Sequence, residues 1–372
     1  MQFQIKRDIL LKSLSIAHNI IEKKNTIPIL ANVLLEVKNN KLNIVATDLD
    51  IVFRDEISEL KIEKEGSTTT SATVLYDVLR KLPSNLDIIF NLESENKLKI
   101  NAKNSKFNLL CLPIDDFPNF ASSFGSDPFK FESKNLLSLL NKTKVSMSND
   151  DARHYLNGIY IHPTTSNKGM YLTGVATDTH RLSSSSTPLE ESKNFKPFIL
   201  PKKTVFQLCN LLQDNIQESI LLYVGDGKIQ FKIGNSGITS KVIDGKFPDY
   251  EKVVPKNNSK VLSVDVKDFI NSIERVITVS IDRKEGVKIT LEKDNIQLFV
   301  TSSSSGEGKE TLSANYNSEN LTVSFNARYL LDIASQLEDK NLTMNLNDAI
   351  SPVLIQDKSD IQSYYVIMPM KI

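Results

Sequence analysis

The sequence predicts an α+β chain built from three copies of one domain, each with two helices and a set of paired strands. Three observations predict it. The string VATDTHRL (Val175–Leu182) has a partner in VATDLD (Val45–Asp50), about 130 residues earlier. Phe117-Pro118-Asn119 and Phe247-Pro248-Asp249 repeat at the same offset of about 130. The order helix, strands, helix, strands then recurs three times, in units of roughly 120 residues. The boundaries implied are 1–125, 126–253 and 254–372.

In the first unit Ile9, Leu10, Leu14, Ala17, Ile20 and Ile21 recur at helical spacing over 7–23, and Pro28 bars continuation. Alternating strands are expected over 32–37 and 41–47, joined by Asn39-Asn40, and then over 53–62. A Gly-Ser-Thr loop leads to a helix over 72–82, stopped by Pro83, and strands over 87–92, 97–102 and 106–112 close the unit. Residues 119–127, small and polar, read as a linker. The second unit has helices over 133–147 and 202–212, the latter opened by Pro201. Its strands are expected over 158–162, 169–177 and 181–186, with a hairpin turning at Asp226-Gly227. After a second linker over 254–260, the third unit carries helices over 266–278 and 326–337 and strands over 286–291 and 296–301. The serine- and glycine-rich stretch 302–308 reads as a loop. This third copy keeps the element order without the TD signature.

Composition narrows the class. In 372 residues, 40% hydrophobic and 24% charged, there is no apolar run long enough to span a membrane and no signal-peptide pattern at the N-terminus, so a cytoplasmic protein is expected. Cys111 and Cys209 lie in apolar stretches without CxxC spacing and read as buried thiols. The 45 basic and 45 acidic residues cancel. Yet in the six expected helices basic residues exceed acidic ones by about 8, so strands and loops carry the opposite excess. One lysine-bearing helix is ordinarily a solvated face. Four of six in a neutral chain point to helices facing a polyanion, through phosphate contacts that carry no sequence information.

Asp178, His180 and Ser183 fall within six positions and invite a hydrolase reading; His154, His162 and His180 invite a metal. On a strand, Asp178 and His180 would share a face while Ser183 points away. There is no HExxH or HxxxH pairing and no GxxxxGK[ST] loop, so no catalytic residue, metal or cofactor is expected, and any ATP chemistry belongs to a partner. A monomeric partner-binding adaptor stands as the other alternative.

The strings TDLDIVFR, ARHYLNGIYIH, VATDTHRL, DGKFPDYEKVVPK and the terminal YYVIMPMKI resemble, in register from Met1 to Ile372, the bacterial DNA polymerase III beta subunit family of DNA sliding clamps. The resemblance implies DNA-clamp domains with helices inside and antiparallel sheets outside, closed by a head-to-tail homodimer into a six-domain ring. Helices about 10 Å wide would leave a hole about 28 Å across, wide enough for duplex DNA. It implies a non-catalytic, nucleoid-associated processivity factor of replication that slides on double-stranded DNA without sequence preference. Its partners would be the polymerase III alpha subunit, the clamp loader, other polymerases and repair proteins, engaged through short Leu/Phe peptides.

Residues carried over for the peptide cleft are Arg153, Leu156, Thr177, Thr179, His180, Arg181, Leu182, Pro248, Lys252, Val253, Val366, Met368, Pro369, Met370, Lys371 and Ile372. For the dimer interface they are Phe107, Leu109, Thr278 and Val279; for DNA, Lys24 and Asn149. Helix position adds Arg7, Lys12, Arg80, Lys202 and Lys203 as DNA candidates. Thr179 stands where the family often has glycine, and Lys252 and Lys371 where it often has arginine, departures that bear on partner affinity. Asp150 is unexpected beside phosphate.

Overall fold

A computed structural model describes residues 1–22, 26–120, 124, 127–167, 169–189, 195–280 and 286–371. Its helices are α1 (Arg7–Ile20), α2 (Ala72–Lys81), α3 (Ser133–Lys144), α4 (Lys202–Asp214), α5 (Val266–Val276) and α6 (Ala327–Ala334). Each buries one stripe: Leu10, Leu14, Ala17 and Ile20 in α1, Val266, Phe269, Ile273 and Val276 in α5. Caps set the starts. Asp265 accepts the Lys267 and Asp268 amides at 2.9 and 3.1 Å, and Asn326 accepts the Tyr329 amide at 3.2 Å.

Internal contacts divide the chain into two compact units, Met1–Leu136 with Lys203–Val242, and Leu137–Lys202 with Ile243–Ile372. The first holds a thirteen-stranded sheet, in which Ser236–Lys241 pairs antiparallel with Ile51–Ile57 (Ile238 opposite Phe53). The second holds a nine-stranded and a four-stranded sheet; in the larger, Arg181–Pro188 pairs with Ser363–Ile367 (Leu182 opposite Val366). The division falls inside the central repeat because that repeat gives one strand edge to the first and another to the third. Hydrogen-bonded ladders, rather than the chain's linear order, decide what is compact.

Several elements differ from expectation. Gly66–Ser71 is a strand, paired with Asn32–Lys38, since its threonines fit a pleated surface despite the glycine and serines around them. The run 53–62 is two strands, Ile51–Ile57 and Leu60–Lys64. The stretch 302–308 is the tight end of a hairpin, with Ser302 opposite Gly306 and Gly306 at φ 111. Of the first expected linker, residues 121–123 and 125–126 lie outside the described residues, as do Lys24 and Ile372. Cys111 and Cys209 are both buried. No described helix is long and apolar enough to cross a membrane.

Candidate functional site

The repeated TD motif is a hairpin turn, and its side chains build the turn. Between the strands Gly169–Thr177 and Arg181–Pro188, the Thr177 hydroxyl donates to the Arg181 carbonyl at 2.7 Å and accepts the Thr179 amide at 3.1 Å. Asp178 Oδ1 accepts the amides of His180 and Arg181, both at 3.0 Å. The earlier copy repeats each bond: Thr47 to the Ile51 carbonyl at 2.9 Å, the Leu49 amide to Thr47 at 2.9 Å, and the Asp50 and Ile51 amides to Asp48 Oδ1 at 3.0 and 2.7 Å. Leu49 and Thr179, at the same place in the two turns, have φ of 78 and 77.

Asp178 and His180 thus lie in the turn between the two expected strands. The Asp178 carboxylate is occupied by backbone amides and Arg181, and Ser183 is buried and bonded to the Ser146 hydroxyl at 2.6 Å. His154 meets the Asp244 carbonyl and His162 the Tyr250 hydroxyl, each at 3.1 Å. No His, Cys, Asp or Glu cluster among the described residues could hold a metal.

Beneath this turn lies an apolar floor: Leu156, Val175, Leu182, Ile199, Phe247, Tyr250 and Val366, all buried. Tyr160 stacks on Phe247 with centroids 4.9 Å apart and, on its other neighbour, on His162 at 4.7 Å. Burial pushes the His162 imidazole below its ordinary pKa and the Tyr250 phenol well above its own, so both are neutral parts of the floor. Phe247, Tyr160, Tyr250 and Val175 are absent from the sequence-derived site; the duplicated Phe-Pro pair was the signal that could have found Phe247.

The C-terminal tail runs from the turn at His180 to the strand Leu321–Asn326. The Met368 amide donates to the His180 carbonyl at 2.8 Å and the Met370 amide to the Ser324 carbonyl at 2.7 Å. Val253, Met368 and Met370, large and apolar, are 50%, 37% and 38% exposed. Thr179, His180, Pro248, Lys252 and Lys371 are exposed around them, with Thr177 and Pro369 half-buried. Lys252 pairs with Asp249 at 2.9 Å. Arg153 holds Asp150 at 2.8 Å and donates to the Thr179 hydroxyl at 3.2 Å. Of the residues taken from the sequence, the structure links Arg153 to Thr179, Thr177 to Arg181 and His180 to Met368, and packs Leu156, Leu182 and Val366 in the floor. It adds Tyr329 and Asp332 of α6, which face Arg181: its guanidinium lies 4.1 Å from the Tyr329 ring centroid and 2.8 Å from Asp332 Oδ2.

A threonine at positive φ is strained by its β-branch, a strain glycine lacks. Thr179→Gly is therefore expected to raise stability by about 1 kcal/mol, the surface bond from Arg153 subtracting a few tenths. The urea midpoint checks it, and a lower midpoint would refute the strain argument.

The expected DNA contacts divide. Arg7 is not directed outward: its Nε donates to the Leu79 carbonyl at 2.8 Å and its Nη2 to Arg80 at 3.0 Å, closing the C-terminal end of α2. Lys203 is held by Asp48 at 2.5 Å and Glu22 at 3.4 Å, and Lys202 by the Asn149 amide oxygen. Lys12 reaches Asn215 Oδ1 at 3.3 Å but stays exposed, and Arg80, 55% exposed, lies over Tyr76 with Asp77 at 3.1 Å. Asp150 accepts from Arg153 and the Ala152 amide, which hold its carboxyl below the usual range, so it braces its loop. Along Ser105–Leu112 the pleat turns Phe107 and Leu109 inward, Leu109 being 9% exposed, whereas Leu110 is 82% exposed. Thr278 is exposed and Val279 packs against its own domain's core.

The duplicated turn with its capping aspartate and the apolar cluster beside the second copy define a protein built from repeats of one domain. Comparison with known proteins makes this particular. The N-terminal, central and C-terminal domain models of the DNA polymerase III beta subunit match residues 1–121, 130–249 and 251–371. The beta sliding clamps of Caulobacter vibrioides and Escherichia coli K12 are 36% and 31% identical to the chain, each alignment covering 100% of both proteins. A crystal structure of a DnaN sliding clamp from Bartonella birtlesii bound to griselimycin matches with a TM-score of 0.94 at 37% identity, again over 100% of both chains. The chain belongs to the DNA polymerase III beta subunit family. It is a non-catalytic processivity factor of the replicative DNA polymerase, with DNA and polymerase as partners.

Proposed function

We propose that two copies close head to tail around duplex DNA, that the ring slides without reading sequence, and that the cleft tethers partners through short peptides ending in leucine and phenylalanine. The observation that carries the tethering is the apolar cluster next to the turn, with the exposed Met368 bonded to His180 of that turn. Unbranched thioethers repack around different apolar side chains, which suits one cleft to many partners. The Bartonella and Pseudomonas aeruginosa relatives solved with griselimycin bound are consistent with a ligand-binding family.

Ring closure is supported by two strand edges, each within its own unit. Among the described strands, Ser105–Leu112 meets Gly66–Ser71 at Cys111 and Leu112 alone, which leaves 106–109 without a strand partner on that edge, next to an exposed Leu110. Gly306–Ser313 is the outer strand of its sheet, with no second partner among the described strands. Different edges joining across two copies make a heterologous contact that closes when the rotation permits. For DNA, the exposed Arg80 and Lys12 are the better candidates; Arg7 and Lys203 act within the chain. The clamp domains would follow the boundaries 1–125, 126–253 and 254–372.

Loading with a clamp loader and ATP onto nicked circular DNA is expected to give a complex that survives moderate salt and is lost on linearisation. Equal retention on linear and circular DNA would overturn encirclement and favour a monomeric adaptor.

A further inference from the structure

The two copies of the turn differ in how they are anchored, and the difference bears on the cleft. In both, the turn's own threonine and aspartate satisfy the same four backbone groups. In the first copy, the second oxygen of Asp48 takes Lys203. In the cleft copy, Asp178 Oδ2 takes Arg181 Nε at 3.0 Å, and the same guanidinium reaches Asp332 Oδ2 on α6 at 2.8 Å. Arg181 is 9% exposed at its side chain and lies over the Tyr329 ring, so its planar fork joins two carboxylates from different elements. From there the chain of contacts runs through Asp178 to the His180 amide, and from the His180 carbonyl to the Met368 amide.

We propose that Asp332 is a positioning residue for the peptide cleft: through Arg181 it fixes where the turn 177–181, and with it the methionine-bearing tail, stands over the apolar floor. This rests on the reading of that floor as a peptide site. Asp332 does not touch the floor itself, and its other oxygen accepts Arg328 Nε at 3.0 Å. Arg328, 74% exposed, is an accessory on the outer side.

The test uses the full-length chain, the peptide Gln-Leu-Asp-Leu-Phe, and amide hydrogen exchange. Asp332→Asn keeps the shape and removes the charge; it is expected to weaken peptide binding about 10-fold and to speed exchange of the His180 and Arg181 amides about 10-fold in the free protein, with the rest of the chain protected as in the parent. Asp332→Glu is expected to restore binding to within about three-fold, because a carboxylate again faces Arg181. Arg328→Ala is expected to stay within about two-fold of the parent, since it leaves the Arg181 bond in place. Parent-like exchange at the turn in Asp332→Asn would overturn the proposal, as would an equal loss of binding in Arg328→Ala. A parent chain that binds no peptide would refute the cleft reading instead, and the exchange measurement would still decide whether Asp332 positions the turn.

Discussion

Asp178→Ala is expected to destabilise the chain by about 3–5 kcal/mol and to abolish peptide binding. The carboxylate, 13% exposed, accepts two backbone amides and one edge of Arg181. Removing it strands both amides and leaves a nearly buried guanidinium with Asp332 as its remaining carboxylate. Asp48→Ala should cost less, about 1–3 kcal/mol, because it loses the matching amide bonds while Lys203, a third exposed, keeps Glu22. Urea unfolding followed by circular dichroism measures both. A loss below about 1 kcal/mol in each would mean that the hairpins hold without side-chain caps, and would remove the physical reason for the motif's duplication.

Lys142→Ala is expected to cost about 3–5 kcal/mol near neutral pH. Its ammonium, with the side chain 7% exposed, lies 2.7 Å from Asp360 and 2.8 Å from Glu338. Glu338 is 65% exposed and can turn to water, so Asp360 bears the loss. In the parent, burial pushes the Asp360 carboxyl up, but Lys142 and the Ser363 hydroxyl outweigh it and hold it below the ordinary range. A carboxyl depressed in the folded state contributes stability above its unfolded pKa of about 3.9 and loses it as pH falls through the folded value. Without Lys142, burial dominates and the folded chain prefers the protonated acid. The gap between parent and variant should therefore be widest near neutrality, begin to narrow as pH falls through the variant's raised carboxyl pKa, and narrow further below about 4 as the parent loses its own contribution. A pH-independent gap would point to lost packing rather than lost charge.

The threefold build was legible because a repeat needs no knowledge of partners: Thr47-Asp48 and Thr177-Asp178 share an offset, and so do the two Phe-Pro pairs. What that motif does was not legible. Asp, His and Ser in close succession suggest catalysis, and neither Leu49 nor Thr179 is a residue that signals a tight turn. The cleft residues came through the resemblance; the structure packs Leu156, Leu182 and Val366 in one apolar cluster with Phe247, Tyr160 and Tyr250, and ties Arg153 to Thr179 and His180 to Met368. The DNA candidates fared unevenly for a plain reason. A lysine's helix is read from spacing, but its partner is not. Arg7 closes the end of α2, and Lys203 neutralises the buried Asp48.

The sequence by itself determined the module, its copy number, its helices and most of its strands, because hydrophobic period and capping act over a few residues. Only the tertiary structure decided which charges are spent inside the chain, which apolar residues floor the cleft, and that α6 reaches across to Arg181. Those choices depend on distances between residues far apart in the chain, where a shift of one or two ångströms separates an ion pair from a solvated charge.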